Sequence, residues 1–168
     1  MNMASGSLKD VVGIGNAMVD ILAYADEAFL AKHHLAKGGM TLVEATRALG
    51  IYEAMGPGVE MSGGSVGNTM AGLASLGGTG SYIGKVHNDQ LGGIFHHDLE
   101  SLGITFSSAP ALDSSPTARC LVIVTPDGQR SMATYLGACV ELGPQDIDAE
   151  TIRRHRITYL EGYLWDAP

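Results

Sequence analysis

The residues best suited to binding a ligand lie in a glycine-rich stretch, MSGGSVGNTMAG, at positions 61–72. Its four glycines and one asparagine fall at the start of a segment in which apolar residues keep helical spacing. Glycine lets a ligand oxygen approach the backbone N–H groups, and asparagine offers both a donor and an acceptor. We therefore expect Gly63, Gly64 and Asn68 to bind a ligand where this helix begins.

A second pair of polar residues follows the apolar run Val11–Gly15, which predicts a buried strand. Asn16 and Asp20 come just beyond this run, and α/β sheets bind ligands at the carboxyl ends of their strands. An ionised aspartate only accepts hydrogen bonds, so it suits the hydroxyl groups of a ligand, which can donate them. Its negative charge repels phosphate. Both sets of residues could converge on one site, and their chemistry favours a polyol.

Each of these features also has a plain structural explanation. Gly63 and Gly64 alone could form only a tight turn, and a lone Asp20 is typical of an exposed loop. The pairs His33–His34 and His96–His97 invite a metal site, but neighbours on a helix point about 100° apart and no carboxylate completes a ligand set. We expect solvated helix faces there and no metal site.

Two phosphate-binding motifs are incomplete in this sequence. The run Gly13–Met18 begins like GxGxxG, but Met18 replaces the third glycine and no helix start follows directly. Gly84 and Lys85 resemble the end of a P-loop, but Val86 takes the place of the magnesium-binding Ser or Thr. A dinucleotide-binding oxidoreductase domain stays as a weaker alternative, and the P-loop match fails.

Composition limits the partners of the chain. Its 168 residues suffice for one domain, and 10 Lys and Arg against 18 Asp and Glu give a net charge of -8. This charge argues against nucleic acid or an anionic membrane as partner. The start lacks an export signal and no apolar stretch is long enough to span a membrane, so we expect a cytoplasmic protein. Cys120 and Cys139 lack metal-site spacing and predict buried thiols.

Short segments of strand-like and helix-like periodicity alternate along the chain, and many of them end at glycine. They predict strands at 11–15, 81–86 and 157–164, and helices from a Thr41–Glu44 capping box to Gly56, at 66–76, and at 91–102 after Asp89 as N-cap. This alternation predicts an α/β fold with a mainly parallel sheet.

One region breaks the alternation. Residues 117–124 and 130–136, joined by a turn at 126–129, predict a β-hairpin, which βαβ units do not contain. We expect this hairpin to be an insertion or flap on the same domain.

In combination these segments resemble the ribokinase-like and adenosine kinase-like (PfkB-type) sugar and nucleoside kinases. The resemblance covers nearly the whole chain, through GNAMVD (15–20), MSGGSVGNTMAGLASLGG (61–78), YIGKVHNDQLG (82–92), TARC with DGQRSMATYLGA (117–138) and YLEGYL (159–164). It is strongest to the adenosine kinase branch. The resemblance implies a ribokinase-like α/β fold with a small β lid, and transfer of phosphate from ATP, with Mg²⁺, to a ribose or sugar hydroxymethyl group.

The resemblance also implies roles for single residues. Residues implied to hold the sugar hydroxyls are Asp20, Gly63, Gly64 and Asn68, with Asn16 close by. Residues 117–136 are implied to be the lid, which could also form a homodimer contact. Residues implied to line the pocket near the base or sugar are Cys120, Met132, Thr134 and Leu136, and Glu161 could touch the substrate.

The chain departs from the family in length. Family members are about twice as long, and their later half carries the glycine-rich anion hole, the catalytic aspartate and the ATP pocket. No second motif of that kind follows residue 138. We expect residues 1–168 to form the N-terminal, substrate-binding part of the fold, with no catalytic residue and no activity alone. A non-catalytic sugar-binding module remains an alternative.

Overall fold

The computed structural model describes residues 7–165. Residues 1–6, on which the expected absence of an export signal partly rests, and residues 166–168 lie outside that range. The strands are β1 Lys9–Ile14, β2 Met18–Tyr24, β3 Met40–Leu42, β4 Val59–Gly63, β5 Gly80–Ile83, β6 Thr105–Phe106, β7 Ala118–Val124, β8 Arg130–Tyr135 and β9 His155–Leu160. The helices are α1 Glu27–Lys32, α2 Ala45–Ala54, α3 Ser65–Ser75, α4 Gln90–Ser101 and α5 Ala149–Arg153, with 3₁₀ turns at Gly137–Glu141, Pro144–Asp146 and Gly162–Trp165.

The first sheet is parallel and has the order β6-β5-β1-β9. Its inner strands are short apolar runs, as expected for strands covered on both faces. On one face Tyr82, Phe95 and Phe106 pack edge to face in the main core. On the other face a second cluster, centred on Val12 and Ile14, is covered by side chains from residues 142–152. This sheet matches the predicted mainly parallel architecture.

The second sheet is mixed and has the order β3-β8-β7-β2-β4. It contains the predicted hairpin, since β7 and β8 are antiparallel neighbours. The hairpin is not a separate flap, however, because β7 also pairs in parallel with β2, and Leu121, Ile123 and Ala133 are fully buried in the main core. The expectation of a small insertion was wrong for this reason: the hairpin is the centre of a five-stranded sheet.

Local signals predicted α4 correctly. Asp89 caps this helix by accepting a hydrogen bond from the Gly92 N–H at 2.8 Å. The same carboxylate accepts from the Thr117 N–H at 2.9 Å and from the Thr117 hydroxyl at 2.6 Å. Burial raises the pKa of Asp89, but these hydrogen bonds outweigh it and hold the pKa below its ordinary value. Asp89 thereby ties α4 to the start of β7.

Two predicted boundaries differ from the structure. The capping box of α2 was wrong, because Thr41 lies in β3 opposite Ala133 and the helix begins after Glu44, whose side chain makes no capping hydrogen bond. The last strand ends at Leu160 and not at residue 164, because the chain turns into the 3₁₀ helix Gly162–Trp165. In both places non-local contacts override the local pattern.

Candidate functional site

A cavity of about 470 Å³ opens between the β1–β2 turn, the start of α3, the second sheet and the segment after β9. We call it the first cavity. Nine of the ten residues proposed from the sequence line it: Asn16, Asp20, Gly64, Asn68, Cys120, Met132, Thr134, Leu136 and Glu161. The structure therefore brings together residues that are separated by up to 145 positions in the chain.

Gly63 is the predicted site residue that does not line the first cavity. It ends β4 opposite Met18, and a Cβ atom at this position would lie 2.3 Å from Cγ of Asp20. No side chain fits in that space, so glycine at position 63 is what leaves room for the Asp20 carboxyl group. Its contribution to a site is indirect.

Sequence reasoning missed five residues that line the first cavity: Met18, Met40, Leu42, Ser65 and Tyr163. Met18 could have been found from the two-residue period of a strand, because it lies on the same face as Asp20. Met40 and Leu42 belong to β3, which at three residues is too short to show the period of a strand. Their place beside the site follows from pairing with β8, which is far away in sequence.

Asp20 does not lie in a loop after the first strand, as the sequence suggested, but within β2. Its neighbours Val19 and Ile21 point into the core, and the alternation of a strand turns Asp20 to the opposite face. Burial raises the pKa of Asp20, and the positive charge of Arg130 offsets this only in part. Among the described side chains, those of residues 7–163, none donates a hydrogen bond to the Asp20 carboxyl group, which leaves its oxygens open to a ligand.

The second sheet arranges its cavity-facing side chains in a row. Strand register places Asp20 of β2 beside Cys120 of β7, Cys120 beside Thr134 of β8, and Thr134 beside Leu42 of β3. Neighbouring strands lie about 4.8 Å apart, so this row extends roughly 14 Å from a carboxyl group to an aliphatic side chain. The first cavity therefore has one polar end and one apolar end.

Glu161 organises the polar end of the first cavity. It is buried, and its Oε1 accepts a hydrogen bond from the Asn16 N–H at 2.5 Å, while Oε2 accepts one from the Ser65 hydroxyl. These contacts hold the β1–β2 turn against the first turn of α3. Oδ1 of Asn16 is buried without a hydrogen-bond partner among the described residues, so it can accept from a ligand donor.

Gly64 precedes α3 with a backbone φ of +80°, in the left-handed region that favours glycine. A Cβ atom here would also lie 2.7 Å from the Asn16 carbonyl oxygen. The helix has no side-chain cap, so N–H groups of its first turn remain available to a ligand oxygen. Asn68 lies on the same helix face as Ser65, one turn further along.

Both cysteines are buried free thiols, as the sequence predicted. Burial raises the pKa of Cys120 to about 11 and that of Cys139 to about 12. The Thr134 hydroxyl donates to the Cys120 sulfur at 3.5 Å. Cys120 is therefore a neutral wall of the first cavity at physiological pH and has little nucleophilic character.

The dinucleotide-binding alternative conflicts with the fold. After Gly13 and Gly15 the chain enters β2, a strand of the second sheet, whereas the dinucleotide motif requires a helix at that point.

Within residues 7–165 no three His, Cys, Asp or Glu side chains are grouped so that they could hold a metal ion. No helix in the same range is long and apolar enough to cross a bilayer.

Comparison with known proteins identifies the class that this fold and site define. The family model described as pfkB family carbohydrate kinase matches residues 55–167. The chain belongs to this family, which confirms the resemblance found in the sequence.

Solved structures of similar proteins share the fold. The adenosine kinase from Sinorhizobium meliloti is 54% identical, with a TM-score of 0.89 over 96% of this chain and 50% of its own. A probable sugar kinase from Rhizobium etli CFN 42 is 49% identical, with a TM-score of 0.89 over 97% of this chain and 49% of its own. The predicted ribokinase-like α/β fold class is thereby confirmed.

A curated relative shows the same relation in length. Adenosine kinase 2 of Arabidopsis thaliana is 31% identical over 144 residues, which are 81% of this chain and 41% of that protein. The chain thus spans about half of the solved structures, and somewhat less than half of this relative.

Proposed function

We propose that this chain is the substrate-binding part of an ATP-dependent nucleoside kinase of the adenosine kinase type, which phosphorylates the hydroxymethyl group of a ribose. The observation that carries the proposal is the Asp20 carboxyl group, which has no donor among the side chains of residues 7–163 and faces the polar end of the first cavity. Asp20 is half-buried, and burial disfavours its charged form, so a ligand that donates hydrogen bonds to the carboxylate would offset that cost.

The polar end suits the hydroxyl groups of a ribose. Two neighbouring hydroxyls can donate to Asp20, and Asn16 and Asn68 offer further acceptors and donors around the same space. The open N–H groups at the start of α3 can donate to a hydroxyl oxygen. A carboxylate among these groups disfavours a phosphate at this end, so the ligand that binds here is the alcohol and not the phosphate donor.

The apolar end favours a nucleoside over a free sugar. Met40, Leu42, Met132 and Leu136 form an apolar wall, and the aromatic ring of Tyr163 also lines the first cavity. A planar base fits between such side chains and buries its faces, with an aromatic contact adding about 0.5–1.5 kcal/mol. A free sugar would leave this end of the cavity without a partner.

The residues of this chain contribute to catalysis by positioning the ribose. Holding the ribose hydroxyls at Asp20 fixes the orientation of the hydroxymethyl group, and positioning supplies a large share of phosphoryl-transfer catalysis. The family uses ATP, which would supply the phosphoryl group.

Titration calorimetry with adenosine and with ribose tests the proposal. We expect adenosine to bind more tightly than ribose. We expect Asp20→Asn to weaken adenosine binding by about 1.5–3 kcal/mol, the range for a hydrogen bond to a charged group. Asp113→Asn is the matched control, since Asp113 is exposed and outside the first cavity. Unchanged affinity in Asp20→Asn would show that Asp20 does not hold the hydroxyls.

A further inference from the structure

The amino ends of the strands in the first sheet surround a second cavity, of about 560 Å³. Four strands of that sheet each place a residue in its wall: Lys9 of β1, Ser81 of β5, Thr105 of β6 and His155 of β9. The first cavity lies at the opposite edge, beyond the carboxyl end of β1, and shares no described residue with the second. Since β1 has six residues and a strand rises about 3.3 Å per residue, roughly 20 Å of sheet separates the two.

The second cavity has positive walls. Its charged lining residues are Lys9 and Arg154, and His155 adds a further charge when it is protonated. No Asp or Glu is among its described lining residues, although the chain as a whole carries a net charge of -8. Most of the remaining lining residues have hydroxyl groups: Ser7, Ser81, Thr105, Ser107 and Thr151. Positive charge combined with hydroxyl donors suits an oxyanion.

Lys9 is a partly buried cation without a counter-charge. Its ammonium group donates to the Thr105 hydroxyl at 2.6 Å, the Gly80 carbonyl at 3.3 Å and the Ser81 hydroxyl at 3.4 Å. All three acceptors are neutral, and Lys9 forms no ion pair with any side chain of residues 7–163. A charge that is partly removed from water and left unpaired attracts an anion into the second cavity.

The hydrogen bonds of Lys9 leave two hydroxyl hydrogens unused. The oxygens of Ser81 and Thr105 accept from Lys9, and within the described range neither hydroxyl donates to a protein group. Ser81 is only 4% exposed, so its hydroxyl is a buried polar group in the cavity wall. A hydroxyl that already accepts one hydrogen bond can still donate another, and a phosphate oxygen is a strong acceptor for it.

Arg154 supplies a second unpaired cation. Its guanidinium group makes no hydrogen bond and no ion pair with the part of the chain whose side chains are described, and it is exposed. The carboxylate of nearby Asp148 accepts from the Thr151 hydroxyl at 2.7 Å and from the Thr151 N–H at 3.1 Å, and these hydrogen bonds lower its pKa more than the charge of Arg154 does. The planar guanidinium is therefore free to bind two oxygens of a phosphate group.

We infer that the second cavity binds the phosphate group of a small molecule, either inorganic phosphate or a phosphate monoester. Arg154 contacts two phosphate oxygens, the hydroxyls of Ser81 and Thr105 donate to the phosphate, and Lys9 balances its charge. The volume exceeds that of a phosphate ion, so a short polar organic group also fits beside Ser107. This inference goes beyond the proposed function, because it needs no ribose at Asp20 and concerns the opposite edge of the first sheet.

Arg154→Gln tests the second cavity with little risk to folding, because Arg154 is exposed and makes no side-chain contact that the fold needs. Arg153→Gln is the matched control: Arg153 is the neighbouring exposed arginine, pairs with Glu150 and does not line the cavity. Lys9→Gln removes the buried charge and keeps a donor. The probes are inorganic phosphate and glycerol 3-phosphate, each titrated calorimetrically into the 168-residue chain and its three variants at constant ionic strength.

We expect the parent chain to bind glycerol 3-phosphate, with Arg154→Gln weakening it at least fivefold, Lys9→Gln at least tenfold and Arg153→Gln less than twofold. Equal affinity for both probes would identify free phosphate as the ligand, and tighter binding of glycerol 3-phosphate would identify a monoester; both support the inference. Failure of both probes to bind overturns it. Equal affinity in the parent and Arg154→Gln, or an equal loss in Arg153→Gln, also overturns it, whether or not circular dichroism shows Lys9→Gln to be folded.

Discussion

Asp20 is a carboxyl group placed where the protein gives it space but no partner. Gly63 provides the space, since any side chain there would collide with the carboxyl group. Burial raises the pKa of Asp20, which means that the charged form is destabilised in the folded protein. A residue that costs stability in the free protein and gains donors from a ligand is typical of a binding site.

The raised pKa predicts how adenosine affinity depends on pH. The ionised carboxylate accepts from the ribose hydroxyls, so affinity should be full above the pKa of Asp20 and should fall as pH is lowered through it. Because burial raises this pKa above 3.8, the fall should begin at a higher pH than for an exposed aspartate. Calorimetry across the range in which circular dichroism shows a folded chain measures this, and Asp20→Asn should lack the dependence.

The contribution of Asp20 to folding stability depends on pH in the opposite direction to its contribution to adenosine affinity. An acid whose pKa is raised on folding stabilises the protein below its unfolded pKa and loses that contribution as pH rises through the folded pKa. Asp20→Asn should therefore be no less stable than the parent near pH 7, although it binds more weakly. A variant that unfolds more readily at neutral pH would contradict this account of Asp20.

Residue types alone indicated much of the polar end. Asn16, Gly64 and Asn68 have the chemistry of a hydroxyl-binding site, and their proximity followed from the usual position of ligands in α/β sheets. The row across the second sheet could not be predicted, because it depends on the register of four strands. A shift of one residue in any pair would turn Leu42 or Thr134 away from Asp20.

At the level of elements, the second sheet differs most from the expectation of a small lid. Its central strand β7 has partners on both sides, and its inner face belongs to the main core. The short strand β3 is different: it has three residues at the sheet edge, and Met40 and Leu42 are largely exposed. If part of this sheet closes over a ligand, β3 is the strand with the fewest contacts to break.

Hydrogen exchange distinguishes these strands. Amides of β7 should be as protected as those of β1, because both strands are paired on two sides and buried. Amides of residues 40–42 should exchange faster and should gain protection when adenosine fills the first cavity. The two-residue strand β6 is the control, since it is also an edge strand but does not line the first cavity. Ligand protection confined to β7, with none at residues 40–42, would contradict this assignment.

Local signals explain which elements the sequence predicted. The helix α4 was predictable because Asp89 caps it and Gly103 follows it with a φ of +78°. The strand β2 was overlooked although Val19, Ile21 and Ala23 are buried at every second position. The strand β4 offered no such pattern, since its side chains before Gly63 are exposed or only partly buried, and its pairing with β2 makes it a strand.

For the molecule as a whole, β9 is the exposed edge of the first sheet. Among the described strands it pairs with β1 alone, and Ile157, Tyr159 and Leu160 are exposed. The sequence predicted a strand at 157–164, and the structure has one at His155–Leu160 whose side chains are mostly exposed. An apolar strand edge of this kind favours pairing with another chain.

We expect the 168-residue chain to self-associate through β9. Ile157→Lys should shift sedimentation velocity profiles toward monomer at equal concentration, because charge on an edge strand opposes pairing. Val59→Lys is the matched control, since Val59 is equally exposed on β4, the edge of the second sheet. The opposite pattern, with only Val59→Lys producing monomer, would instead place the contact at β4, the edge of the second sheet.

The chain crosses between its two sheets several times, and this path has a consequence for biosynthesis. The strand β1 is made first, yet its partners are β5 and β9, and the Asn16–Glu161 contact beside it joins residues 145 positions apart. At 5–20 residues per second, a ribosome needs roughly 7–30 seconds to supply the last partner. A fold of such high contact order forms slowly. The nascent chain therefore carries an apolar, half-paired strand for that time, and Lys9–Ile14 is the segment that a chaperone would protect.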